Sequence, residues 1–154
     1  MNKRLLGLVL AAAIAMGASA HAERADLLIN SGWKFHKGDV AGAGEVAFDD
    51  AGWDGVNLPH TWNAQDGQDG GSDFWRGSGW YRRTLNIETI GEKRFYLHFE
   101  GDLTTTDVYV NGKSVGQHKG GYAAFRFDIT DHVQPGANML AVKVDNAFDA
   151  DVLP

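Results

Sequence analysis

Apolar and polar residues alternate with a period of two along much of this chain. The clearest run is Lys93–Glu100, KRFYLHFE, in which Phe95, Leu97 and Phe99 share one side. Successive side chains of a strand point to opposite faces, so the pattern predicts a half-buried strand. Thr104–Val110 alternates likewise, with Val108 and Val110 on one face and Tyr109 on the other, and Met139–Val144 turns Leu140, Val142 and Val144 inward. Trp33 and Phe35, Trp80–Ile87, Lys113–His118 and Tyr122–Phe127 complete the strand candidates. Val56–Trp62 reads as extended, because a residue before proline, here Leu58, is pushed away from helix.

Turn chemistry separates these runs. Asn111-Gly112 is a two-residue hairpin signal, since both residues tolerate positive φ. Gly120-Gly121 interrupts a strand, and Gln134–Asn138 (QPGAN) is a turn. Thr130 or Asp131 is placed to cap a single helical turn. Phe48–Trp53 (FDDAGW) reads as a turn in which Asp49 or Asp50 bonds back to nearby amides, with Phe48 and Trp53 as apolar anchors. The stretch Leu97–Asp145 holds the hairpin and the closing strand, and the segments before it read as the other half of the same domain. About eight short strands without helical periodicity predict an all-β fold, a two-sheet sandwich or a barrel.

Composition narrows the function classes. A chain of 154 residues is one domain by size, and its 20 glycines suit many turns. The formal net charge is -6, and lysines and arginines are scattered, so there is no basic stripe for nucleic acid. There is no cysteine, which excludes thiol catalysis, cysteine-zinc sites and iron–sulfur clusters. At the N-terminus, Lys3 and Arg4 precede the apolar Leu5–Met16, followed by small-x-small sites at Ala18-Ser19-Ala20 and Ala20-His21-Ala22. That is the pattern of a signal peptide over 1–22, cut after Ala22. The apolar run is shorter than the ~20 residues of a spanning helix, so no membrane span is expected. The expected location is periplasmic or extracellular, and the domain must be held by its own core without disulfides.

Candidate chemistry is sparse. Glu23, Glu45, Glu88, Glu92 and Glu100 lack a catalytic context, and His36, His60, His98, His118 and His132 lack metal-ligand spacing. No serine sits in a nucleophile elbow, and no glycine-rich turn opens a helix for phosphate. Residues Asn63–Gly79 form a long polar loop; its Asp66, Asp69 and Asp73 do not have calcium-loop spacing and read as solvated. Trp62, Trp75, Trp80 and Tyr122 sit beside polar residues and have two readings: faces for stacking on sugars, or core and loop anchors. By turn chemistry alone Asn111 needs no further role.

Several separated motifs together resemble glycoside hydrolase family 2. They are Leu58-Pro59-His60-Thr61-Trp62-Asn63, Gly79-Trp80-Tyr81-Arg82-Arg83, Val108-Tyr109-Val110-Asn111-Gly112-Lys113 running on to Gly120-Gly121-Tyr122, Phe125-x-x-Asp128-Ile129-Thr130, and Gly136-x-Asn138-x-Leu140-Ala141-Val142-x-Val144-Asp145-Asn146. The subtype is similar to bacterial exported β-galactosidases. The resemblance implies a jelly-roll β-sandwich over 23–148 that binds sugar, with 149–154 starting a connection to downstream domains. It implies a catalytic pair of glutamates in a downstream barrel and no catalytic residue in this chain. It nominates Asn111 and Asp151 as substrate contacts, with Asp145 and Asp149 close to the same register. It implies no metal or cofactor held by this domain, a cation in the full-length enzyme, a β-galactoside or related oligosaccharide as partner, and room for a homo-oligomer. The same domain from a β-glucuronidase or β-mannosidase, and a free-standing carbohydrate-binding module, are the alternative readings.

Overall fold

A computed structural model describes residues 24–64, 74–101, 104–150 and 152. Eight strands run in chain order: β1 (Trp33–Lys37), β2 (Asp54–Val56), β3 (Ser78–Ile87), β4 (Tyr96–Phe99), β5 (Thr105–Val110), β6 (Lys113–Lys119), β7 (Phe125–Asp128) and β8 (Gly136–Asp145). One six-stranded sheet has the order β2-β1-β3-β8-β5-β6, and β4 pairs with β7 in a second, smaller sheet. All pairings are antiparallel. β3 and β8 are matched over their full ten residues, from Ser78 opposite Asp145 to Ile87 opposite Gly136. The all-β expectation holds.

The sandwich follows from the alternation. Val108 and Val110 of β5 and Leu140, Val142 and Val144 of β8 are buried on the inner face. Leu97 and Ile129 join them in one cluster, with Phe95, Phe99 and Phe127 packed against it. The intervening residues Tyr96 and His98 are exposed. The hairpin turn forms as the sequence predicts: Asn111 and Gly112 have φ of 51° and 80°, and Val110 faces Lys113 across it. A register shift between Val108 and Tyr109 places Gly116 opposite Val108. A side chain there would collide with Phe127, because an added Cβ would lie 2.7 Å from its ring.

The outer face of the large sheet has its own cover. Ala43, Trp80 and Ala141 are buried there with Phe48 and Trp53 packed alongside, so the predicted anchors are in place. Trp80 is 5% exposed and belongs to this packing, which settles its two readings in favour of core. The fastening is Arg82, which is fully buried. Its guanidinium donates to the carbonyls of Ala43 and Glu45, the latter at 3.0 Å, and to the Asp50 carboxylate at 2.9 Å. Lys34 donates to the other Asp50 oxygen at 2.7 Å. Burial pushes the Asp50 carboxyl up, and these two cations outweigh that and hold it below its usual range. The neighbouring Arg83 donates to the carbonyls of Ile29 and Ser31, each at 2.6 Å. The Arg82-Arg83 pair therefore ties down two separate segments.

Within Val56–Trp62 only Val56 is in a strand; beyond it the Leu58 N–H donates to the Asn30 carbonyl at 2.7 Å and the Leu58–Pro59 peptide is cis. Two local expectations are corrected. The strand expected from Tyr122 begins at Phe125, because Tyr122 has a left-handed φ of 64°. The helical turn exists at Thr130–His132, but neither Thr130 nor Asp131 caps it. Asp128 does that work from β7, accepting from the Thr130 amide at 3.0 Å and its hydroxyl at 2.6 Å. At the Phe48–Trp53 turn, Asp49 accepts from the Ala51 amide while Asp50 is taken by the cations. The expected leader over 1–22 lies outside the described residues.

Replacing Arg82 by Met should lower unfolding free energy by about 3–5 kcal/mol, because Asp50 and the loop carbonyls lose a buried charged partner; urea denaturation measures this. Asp128 gives a pH signature. The Thr130 hydroxyl, then Arg94 and the Thr130 amide, hold its carboxyl down at about 2, against an ordinary 3.8. A folded-state pKa below the unfolded one stabilises the fold above the unfolded value and is lost as pH falls through the folded value. Asp128→Asn should therefore flatten the acid limb of stability from pH 3.8 down to about 2, as read by thermal melts across that range.

Candidate functional site

The strand register defines two ends of the sandwich. One end carries Ser78, Asp145 and Thr105, which are aligned across β3, β8 and β5. The other carries Ile87, Gly136 and the Asn111-Gly112 turn. At the Ser78 end a cleft of about 320 Å³ opens between the sheets. Tyr81 and Val144 form its floor, the segment His60–Asn63 one wall, and Gly101 with Tyr122 the other.

The cleft wall is built from aromatic packing. Phe35 sits beneath it: Trp62 stacks on Phe35 at 5.7 Å with an 11° interplanar angle, and His60 meets it edge-on at 4.7 Å. Gly79 makes this approach feasible, since a Cβ there would lie 2.9 Å from the Trp62 six-membered ring and 3.0 Å from Phe35. His60 Nδ1 and the Tyr81 hydroxyl are 2.9 Å apart. Burial pushes the His60 pKa down from its ordinary 6.5 and outweighs the opposing pull of Asp54. The imidazole is thus neutral at pH 7, offering a hydrogen bond without a charge. Tyr122, 77% exposed, completes the opposite wall.

The neck of the long loop is pinned beside this cleft. Asn63 donates to the Trp75 carbonyl and accepts from the Trp75 amide, each at 3.0 Å. Asn146 donates to the same Trp75 carbonyl at 2.9 Å and accepts from the Gly77 amide at 2.7 Å. Asp145 accepts from the Ser78 hydroxyl at 2.6 Å. The entry to the loop, its exit and the end of β8 are therefore one hydrogen-bonded unit. Sequence reading missed this clamp, along with the His60–Tyr81 pair. Its only trace is that Asn63 and Asn146 each close a recurrent motif.

Asn111 sits elsewhere. Its carboxamide donates to the His132 carbonyl at 2.9 Å and to Asn138 Oδ1 at 2.8 Å, and accepts from the Met139 amide at 2.9 Å. Asn138 is fully buried and bonded in turn to Gln134 and Gly136. Asn111 thus locks the hairpin tip to the 134–138 turn. Its backbone bonds Met139, six residues along β8 from Asp145, which is roughly 20 Å at strand rise. The structure does not bring Asn111 together with Asp145. Asp149 lies 3.4 Å from Lys119 at the cleft end, and Asp151 lies outside the described residues, as do Asp66, Asp69 and Asp73. Among the described residues, no group of three acidic or histidine side chains could hold a metal ion, and no helix is long and apolar enough to cross a membrane.

Asn146→Ala should leave the Trp75 carbonyl and Gly77 amide short of partners and lower stability by about 1–3 kcal/mol. Hydrogen exchange at the Trp75 and Gly77 amides should quicken more than exchange in β5. Equal effects at both places would refute a local clamp.

Comparison with known proteins agrees with this architecture. The family description "Glycosyl hydrolases family 2, sugar binding domain" matches residues 68–153. A β-glucuronidase of Bacteroides fragilis is 41% identical over 143 residues, covering 88% of this chain and 19% of that protein. A β-galactosidase of Thermoanaerobacter pseudethanolicus is 37% identical over 131 residues, covering 83% of this chain and 18% of that one. The crystal structure of Bacteroides uniformis β-glucuronidase superposes with a TM-score of 0.76 at 43% identity, over 82% of this chain and 15% of that chain. The chain thus spans under a fifth of the length of these relatives. With the family description covering more than half of its residues, this chain belongs to glycoside hydrolase family 2, as its sugar-binding domain.

Proposed function

We propose that this chain is the non-catalytic N-terminal domain of an exported β-glycosidase and that it lends substrate contacts to an active site whose carboxylates lie elsewhere in the polypeptide. The observation that carries this reading is the family match over 68–153, joined to relatives some five times longer that are named for glycosidase activity. In a retaining mechanism one carboxyl acts as acid/base and a second as nucleophile. Among the described residues, no glutamate lines the cleft. Its part is recognition: hydroxyl-specific hydrogen bonds discriminate strongly because an analogue lacking the group leaves buried polar atoms unpaired.

The substrate proposed is a terminal β-galactoside, from the resemblance of the motifs. A terminal β-glucuronide is the second reading, favoured by the β-glucuronidases among the relatives at 41% and 43% identity. Asp151 remains a proposed sugar contact, because it follows by six residues the end of β8 that borders the cleft. Asn111 is better read as a structural lock. A cation held by the full-length enzyme and an export leader over 1–22 belong to the same proposal.

The test is hydrolysis of 4-nitrophenyl β-galactoside and β-glucuronide by the full-length polypeptide and by residues 23–154. The full-length protein should turn over one of them and the fragment neither. Turnover by the fragment, or a full-length protein inert on both, would sink the proposal.

A further inference from the structure

The Asn111-Gly112 tip carries a chemistry that its structural role leaves unused. Among the asparagines of the chain, only Asn111 is followed by glycine. In an unhindered Asn-Gly pair the glycine backbone nitrogen attacks the side-chain carbonyl carbon of the asparagine. The bond from that nitrogen to Cγ forms and the Cγ–Nδ2 bond breaks. Ammonia leaves, taking the proton of the glycine N–H. Water then opens the cyclic imide to aspartate or to isoaspartate, so water is the one co-reactant.

The fold keeps the reacting groups apart. Asn111 Nδ2 donates both protons, to the His132 carbonyl at 2.9 Å and to Asn138 Oδ1 at 2.8 Å, and Oδ1 accepts from the Met139 amide at 2.9 Å. All three partners belong to the 132–139 segment. The carboxamide can swing round to the Gly112 nitrogen only by leaving them. Gly112 is hemmed in as well, since an added Cβ would lie 3.6 Å from Val46 Cγ2 and 4.0 Å from Glu45 Cα.

The product suits this place worse than the reactant. An aspartate carboxylate at position 111 brings no proton, so its oxygens would face the His132 carbonyl and Asn138 Oδ1 at hydrogen-bond distance. Asn138 cannot turn its amide over in response. Its Oδ1 also accepts from the Gln134 amide at 2.8 Å, and its Nδ2 donates to the Gln134 and Gly136 carbonyls at 2.7 and 3.0 Å. Asn138 is fully buried, so the new charge would sit against enclosed acceptors. Isoaspartate would add a methylene to the backbone of a two-residue turn whose flanks, Val110 and Lys113, are paired.

We propose that Asn111 is a deamidation site that the folded hairpin shields, that it reacts when the tip opens, and that the product is excluded from the native fold. Deamidation then marks chains that have unfolded and bars their return. Neither step draws on the sugar-binding role.

The test ages the full-length polypeptide in mildly alkaline buffer, with and without guanidinium chloride, and digests it with trypsin. Asn111 is the only carboxamide in the tryptic peptide 95–113, so conversion of amide to acid there reports this site alone. The folded protein should convert at least roughly tenfold more slowly than the denatured one, the minimum for three ordinary hydrogen bonds broken together. When the aged, denatured sample is returned to native buffer, the refolded fraction should be depleted of converted peptide relative to the fraction that fails to refold. Two variants separate loss of the lock from the misfit of the product. Asn111→Gly and Asn111→Asp both lose the lock, but glycine accepts the φ of 51° and adds no charge, so Asn111→Asp should melt lower. Equal conversion in folded and denatured protein overturns the proposal. So does converted peptide shared evenly between the two fractions, or an Asn111→Asp protein that melts at or above Asn111→Gly. The conversion rates use the unmutated protein and decide the matter whether or not either variant folds.

Discussion

The fold depends on Arg82 lying buried at the centre of its longest strand pair. β3 carries it outward from the large sheet, where a sandwich with only two opposing strands on its inner side could not cover both faces. The 38–53 segment has little regular structure with which to satisfy its own backbone. Arg82 supplies the missing donors, taking the carbonyls of Ala43 and Glu45 and sharing Asp50 with Lys34. With that segment in place, Phe48 and Trp53 close over Trp80, and the large sheet acquires a second hydrophobic layer without a second sheet. Buried ion pairs are often no better than apolar replacements for stability. Here the arginine is also the hydrogen-bond complement of an irregular segment, which an apolar side chain cannot imitate.

That arrangement divides the labour between the two ends of the sandwich. At the Asn111 end the carboxamides of Asn111 and Asn138 bond one another and the neighbouring turns, and Asn138 is fully enclosed. At the Ser78 end, aromatic rings, a neutral histidine and an exposed tyrosine surround a hollow. An asparagine in a turn is attractive as a sugar ligand when only its residue type is known. Its partners show that both amide protons and one acceptor site of the Asn111 carboxamide are already used within the fold.

Much of the architecture was legible in the sequence because alternation is a one-dimensional signal. Phe95, Leu97 and Phe99, or Leu140, Val142 and Val144, declare their face by spacing alone, and Asn111-Gly112 declares its turn by tolerance of positive φ. What was not legible depends on meetings between distant residues. The Asn63–Trp75–Asn146 clamp joins positions up to 71 residues apart. The burial of Trp80 depends on which loop covers the outer face, and the capping by Asp128 depends on β7 ending two residues before the first residue of the helical turn. Tyr122 looked like a strand residue because aromatics favour strands, whereas the preceding glycine pair sets up a left-handed backbone instead. The family motifs carried the function class further than any single residue did, since each alone is only a turn and a strand.

The clamp on the loop neck has a consequence for how such a domain can diversify. Because Asn63 and Asn146 hold both ends of the loop to the end of β8, the clamp itself closes the chain. Lengthening a closed loop adds little entropy, about 0.6 kcal/mol per doubling. A change in the length of chain between the two clamped ends therefore costs little in closure. Selectivity for a new glycoside could then arise by replacing a cassette bounded by two asparagines, without renegotiating the core.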